Sequence, residues 1–164
     1  MNQQFERMAS RGQSKNAPLI SPDLMLSFSI HHFGVAVEDI SRMAAFYTDS
    51  LGYQLATEII HDPVQGAYVQ FLRLPGDTVY LELVQPDRPG SKLNRAVAKG
   101  GGLNHVCYAV DDIEAARLGL RKRGFFLIAP PVPAVAFKGR RIAWLRGRDQ
   151  VITELVERGG PGEL

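Results

Sequence analysis

Read for the alternation of apolar and polar positions, the chain resolves into short strands and two amphipathic helices. Ile30 to Val37 is rich in apolar and β-branched residues and reads as a strand. Asp39 follows as a helix N-cap, because its carboxylate accepts from the free amides of the first helical turn. Ile40, Met43, Ala44, Tyr47 and Leu51 then recur at three- and four-residue steps, giving one buried stripe, and Gly52 ends the helix. Residues 53–60, 67–74 and 78–84 are predicted as a meander of strands, separated by the turn chemistry of His61-Asp62-Pro63 and Pro75-Gly76-Asp77. Further on come a strand over 104–110, a helix from Ile113 to Arg123 with Ile113, Ala116 and Leu120 inward, and strands near 125–129, 140–145 and 151–157. Pro130, Pro131 and Pro133 predict an irregular loop between the first two of those late strands. Residues 86–103, with a glycine triplet at Gly100 to Gly102, join the two runs and hold a short predicted helix over 91–99.

The second run repeats the first. HFGVAVEDI begins at His32 and HVCYAVDDI at His105, 73 positions later. Both copies end their helix at a glycine followed by an aromatic residue, Gly52-Tyr53 and Gly124-Phe125. Both close on the same tripeptide, Glu82-Leu83-Val84 and Glu154-Leu155-Val156. Agreement at the start, middle and end marks an internal duplication. The predicted fold is α+β: two βαβββ modules, over residues 29–85 and 104–157, in a single domain spanning 29–157. Residues 1–28 and 158–164 read as tails.

Four residues stand out because the duplication places them in equivalent positions. Strand side chains alternate between faces, so His32 shares a face with Gly34 and Ala36 while Phe33, Val35 and Val37 go the other way. Around His105 the same split puts Cys107 and Ala109 on its face. A histidine among small residues is the composition of a cavity wall. Glu82 and Glu154 each fall on the face opposite Leu83 or Leu155. Taken singly, each histidine reads as a hydrogen-bonded core residue and each glutamate as an edge-strand residue facing solvent. Taken together, two inward carboxylates require a cation to offset several kcal/mol of desolvation. His32, Glu82, His105 and Glu154 are therefore expected to hold one divalent ion, with Co, Ni, Mn, Zn or Fe suiting two imidazoles and two carboxylates.

Composition narrows the partners. Of 164 residues, 45% are hydrophobic and 22% charged, as in a globular protein with a real core. A net charge of +2 is too small for a phosphate-backbone footprint, so nucleic acid is not expected. Cys107 is the one cysteine, which excludes an intramolecular disulfide and favours a reducing, cytoplasmic home. No apolar stretch approaches the ~20 residues needed to cross a bilayer. The first 27 residues combine Arg and Ser with little acid, a trait of organelle import segments, but Gly12, Pro18 and Pro22 break any long helical pattern and the segment reads as a mobile polar tail.

With those residues in view, the sequence resembles the vicinal oxygen chelate superfamily, which includes glyoxalase I, extradiol dioxygenases, bleomycin-resistance proteins and methylmalonyl-CoA epimerase. The resemblance spans roughly residues 29–157 and is most similar to the epimerase branch in HFGVAVEDI, AFYTDSLGY, Gln65-Gly66, LELVQP, GGGLNHVCYAVDDIEAA and ITELVE. It implies an open, cup-shaped mixed sheet around a metal site, with His32, Glu82, His105 and Glu154 at the ligand positions. A homodimer is a further implication. Two departures stand out. Epimerases often carry two histidines where this chain has Asn104-His105, and some carry a glutamate shortly after the Gln-Gly pair, where Gly66 to Gln70 contains no carboxylate.

The chemistry this implies is proton transfer beside a thioester carbonyl, as in epimerising a 2-methyl-branched acyl-CoA, through a metal-stabilised enolate. Glu154 is the expected catalytic base. The second acid or base is open among Glu58, His61 and a bound water, since Gln70 cannot transfer a proton. Lys138, Arg140, Arg141, Arg146 and Arg148 are the densest basic run and the candidates for CoA phosphates. Tyr47 and Trp144 are expected in the core, and Cys107 as a small buried hydrophobe. Alternatives are a glyoxalase I-like lactoylglutathione lyase, an Fe(II) dioxygenase, and a small-molecule-binding resistance protein.

Overall fold

The computed structural model describes residues 27–164; the tail expected over 1–28 lies outside the described residues except for its last two positions. Among the described residues the chain runs β1 (Phe28–Ala36), α1 (Ile40–Leu51), β2 (Gln54–Leu55), β3 (Ile60–Asp62), β4 (Ala67–Arg73), β5 (Tyr80–Pro86), α2 (Asn94–Ala98), β6 (Gly102–Val110), α3 (Ile113–Lys122), β7 (Phe126–Pro133), β8 (Arg141–Arg146) and β9 (Ile152–Glu157). The strands form one mixed sheet in the order β2-β4-β5-β1-β6-β9-β8-β7, with β3 also paired to β4. None of the described helices is long and apolar enough to cross a membrane.

The duplication is visible in the pairing. β1 runs parallel to β5 and β6 parallel to β9, and the two copies join through the antiparallel pair β1–β6. Each helix starts as its sequence requires. Asp39 accepts from Arg42 N, Asp112 accepts from Glu114 N and Ala115 N, and Gly52 ends α1 at φ 75°. Both long helices cover one face of the sheet. α1 packs Ile40 and Ala44 on Leu72, Leu81 and Leu83, and α3 packs Ile113 and Ala116 on Ala143, Leu145 and Leu155.

The opposite face holds a second apolar cluster, built from Ala36, Ala67, Val69, Phe71, Val84, Cys107, Ala109, Ile142 and Val156, with Phe137 laid over it. This is the face of His32 and His105, and it is the more buried of the two along β1 and β6. Phe33, on the other face, is 38% exposed because neither long helix covers the seam between the copies.

Two local expectations fail for identifiable reasons. Residues 53–60 are not one strand. Phe71 O accepts from both Ala56 N and Thr57 N, and Thr57 Oγ1 accepts from Phe71 N, so a side chain enters the ladder and splits the strand into β2 and β3. The prolines at 130–133 do not form a separate loop. β7 runs through them to Pro133, with register shifts against β8, because β7 is a sheet edge where a missing N–H costs no ladder bond. The joining helix is also shorter than 91–99, spanning Asn94–Ala98.

Candidate functional site

The two copies aim one histidine and one glutamate each at a common point. His32 (β1), Glu82 (β5), His105 (β6) and Glu154 (β9) are 0%, 6%, 2% and 3% exposed. His32 Nε2 and His105 Nε2 are 3.0 Å apart. Glu82 Oε2 lies 3.3 Å from His32 Nε2 and 3.1 Å from His105 Nε2, and Glu154 Oε2 lies 3.0 and 3.3 Å from the same two nitrogens. Donors about 2.0–2.2 Å from a common ion stand roughly 3.0 Å apart in cis octahedral positions and roughly 3.3–3.6 Å apart in a tetrahedron. The observed separations fit that range, so the donor set suits a divalent cation.

Room for the cluster depends on small neighbours. Gly34 pairs with His105 across β1–β6, and a Cβ at Gly34 would collide with the His105 ring. Cys107 sits opposite His32 in the same ladder and is fully buried. Aromatic rings enclose the imidazoles: Phe71 meets His32 edge-on at 5.3 Å, Phe137 stacks at 6.0 Å, and Trp144 meets His105 edge-on at 4.9 Å.

Electrostatics follow from this burial. Desolvation alone would lower both imidazole pKa values, but hydrogen bonds and charge from Glu82 and Glu154 outweigh it, so His32 is raised and His105 is pushed up to about 9. Burial would raise the two carboxyls, yet the histidines hold both below the usual value. The two carboxylates thus favour positive charge on the imidazoles, and a divalent ion would supply that charge in their place. Burial, followed by the charge on Glu154, drives the Cys107 thiol well above its ordinary value, leaving it an inert hydrophobe. His31 is lowered to about 4, chiefly by burial and then by the charge of His32.

Glu82, His105 and Glu154 form part of the wall of a cavity of about 580 Å³. β4 contributes Ala67 and Val69, and Ile142, Trp144 and Arg146 line the cavity from β8. Trp144 thus faces the cavity, while Tyr47 packs in the α1 core beside Tyr53. Gln70 turns away and donates from Nε2 to Thr57 O. Glu58 is exposed and His61 pairs with Asp87 at 3.0 Å; neither lines the cavity. Of the five basic candidates, Arg146 alone is in the wall. Arg141 is tied to Glu157 and Glu114, and Arg140 donates to Glu157 O while lying over Phe137. Arg88 and Lys92, which sequence reasoning missed, line the cavity instead. Two bonds join the copies over this space: Val135 N donates to Asp62 Oδ2 (3.2 Å), and Trp144 Nε1 donates to Gln65 Oε1 (3.1 Å).

Comparison with known proteins agrees with this architecture. The chain is 31% identical over 122 residues to the ethylmalonyl-CoA/methylmalonyl-CoA epimerase of Cereibacter sphaeroides, covering 73% of this chain and 89% of that protein. It is 38% identical over 132 residues to the mitochondrial methylmalonyl-CoA epimerase of Mus musculus, covering 78% and 72% respectively. A solved variant of Streptomyces coelicolor methylmalonyl-CoA epimerase, in complex with 2-nitronate-propionyl-CoA, superposes with a TM-score of 0.71 at 26% identity, covering 80% of this chain and 97% of that one. The model of one family matches residues 31–144, and by that match the chain belongs to the Glyoxalase/Bleomycin resistance protein/Dioxygenase superfamily.

Proposed function

We propose that the protein is a metal-dependent epimerase that moves the proton next to the thioester carbonyl of a branched acyl-CoA. The observation that carries this reading is the convergence of two imidazole nitrogens and two carboxylate oxygens, one pair from each copy, at the wall of a cavity large enough for a small acyl group. The likeness to acyl-CoA epimerases supports the choice of substrate. A divalent ion held by His32, Glu82, His105 and Glu154 would supply positive charge where the enolate oxygen develops.

The chain's own residues do the rest. Glu154 takes the α-proton. Asp62 also lines the cavity wall, but its oxygens already accept from Val64 N, Gln65 N and Val135 N, so a bound water returns a proton to the opposite face of the carbon and regains one from Glu154 through solvent. Phe71, Phe137 and Trp144 pack around the two imidazoles and fix their place in the wall. Arg88, Lys92 and Arg146 are the cations in the cavity wall; Arg88 is tied to Asp87, so Lys92 and Arg146 meet the phosphates of the CoA moiety.

The test is to incubate metal-loaded protein with methylmalonyl-CoA in deuterium oxide and follow the α-proton by NMR. Its signal should disappear at a turnover rate. An intact α-proton with metal bound would remove the acyl-CoA assignment and leave the metal site standing. One feature favours a second reading. β4 offers only Ala67, Val69 and Phe71 to the cavity-side cluster, so acid–base groups are confined to the metal cluster itself, an arrangement equally suited to isomerising a hemithioacetal of a thiol and a 2-oxoaldehyde. Lactoylglutathione formation from that adduct would select it.

A further inference from the structure

Both cluster histidines present Nε2 to the common point, so each needs its ring proton on Nδ1 and an acceptor there. Each finds one on the residue just before it. His32 Nδ1 is 2.9 Å from His31 Nδ1, and His105 Nδ1 is 3.1 Å from Asn104 Oδ1. Consecutive residues of a regular strand point to opposite faces and cannot meet in this way. Here the ladder between β1 and β6 slips twice. Ile30 pairs with Tyr108 but His32 with Cys107, leaving His31 as an extra residue of β1. Gly34 pairs with His105 but Val35 with Leu103, leaving Asn104 as an extra residue of β6. Each copy therefore carries one bulge, at equivalent positions, and each bulge turns the extra side chain toward the following histidine. His31 is held there by Tyr80 at 5.5 Å and by the edge of Phe137 at 5.4 Å.

We propose that His31 and Asn104 are a matched pair of positioning residues: each accepts the Nδ1–H of the next histidine and so fixes its tautomer and ring orientation, leaving the Nε2 lone pair aimed at the ion. Asn104 does so through its amide oxygen. His31 does so through Nδ1, with its own proton on Nε2. His31 is no part of the cavity wall, and Asn104 borders it beside His105. This inference rests on the reading of the four-residue cluster as a metal site.

The experiment is zinc binding by the metal-stripped protein, measured by competition with a chromophoric chelator, together with the ring-NH region of the proton NMR spectrum of the zinc form. The native chain should bind one zinc and show two slowly exchanging Nδ1–H signals. Asn104→Leu should weaken zinc binding by about 10–100-fold and lose one of those signals. Asn104→Asp, which keeps an acceptor, should restore both. His31→Phe keeps the ring packing without the acceptor and should lose the other signal, with a similar fall in affinity. Native affinity in Asn104→Leu and His31→Phe, or an Asn104→Asp variant as weak as the leucine variant, would overturn the positioning role with the metal site intact. A native chain that binds no zinc and no other first-row divalent ion would overturn both readings together.

Discussion

At the scale of single residues, Glu154 bears the heaviest claim. Replacing it with Gln keeps the size and one metal-binding oxygen but removes the proton acceptor. The expected result is a fall in kcat of about 10²–10⁴ with zinc still bound, measured by the α-proton exchange rate; full exchange in E154Q would clear Glu154 of the role. The four cluster residues were legible in the sequence because the repeat marks equivalent positions and strand alternation assigns each to a face. His31 and Asn104 were not, since a bulge has no periodic signature and alternation sends a residue and its neighbour to opposite sides. The basic run misled for a related reason. Arg141 is close in sequence to Arg146, but its guanidinium is held by Glu157, and adjacency along the chain says nothing about which cations already have partners.

At the scale of elements, the site depends on how closely β1 and β6 approach. Gly34 is the point of contact, because the His105 ring occupies the space a side chain would need. Gly34→Ala should displace that ring, abolish tight metal binding and cost about 1–3 kcal/mol by overpacking; thermal unfolding with and without zinc reads both effects, and a variant that still gains native-like stability from zinc would refute the crowding argument. The repeat also made the helices, their caps and the order of modules readable. Two strands were misread for want of tertiary information. The Thr57 hydroxyl replaces a backbone acceptor beside Phe71, and the prolines of β7 are tolerated at an edge that no local pattern reveals.

At the scale of the molecule, the buried cluster couples protons to stability, and a bound ion would enter the same balance. The folded-state pKa values of His32 and His105 lie above the ordinary 6.5, so their contribution to the metal-free fold is complete below pH 6.5 and declines above it, that of His105 being lost as pH rises through about 9. Glu82 and Glu154 are held below 4.5, so theirs is present above pH 4.5 and is lost as pH falls further. The metal-free protein should therefore be most stable between pH 4.5 and 6.5. A bound divalent ion should remove the alkaline decline, since it takes the place of the protons, and should add about 2.7 kcal/mol at a hundredfold excess over its Kd. Thermal melts across pH, with and without zinc, test this; an alkaline decline of the same size in both forms would contradict it.

The two copies meet along seams of unequal strength. One is the continuous backbone ladder of β1 and β6, while the other combines the Asp62–Val135 and Gln65–Trp144 bonds, worth roughly 0.5–1.5 kcal/mol each, with the packing of Phe137 on Phe71. Both histidines of the cluster lie on the ladder side, so their spacing is set by main-chain bonds and would outlast the loss of either bond at the far join.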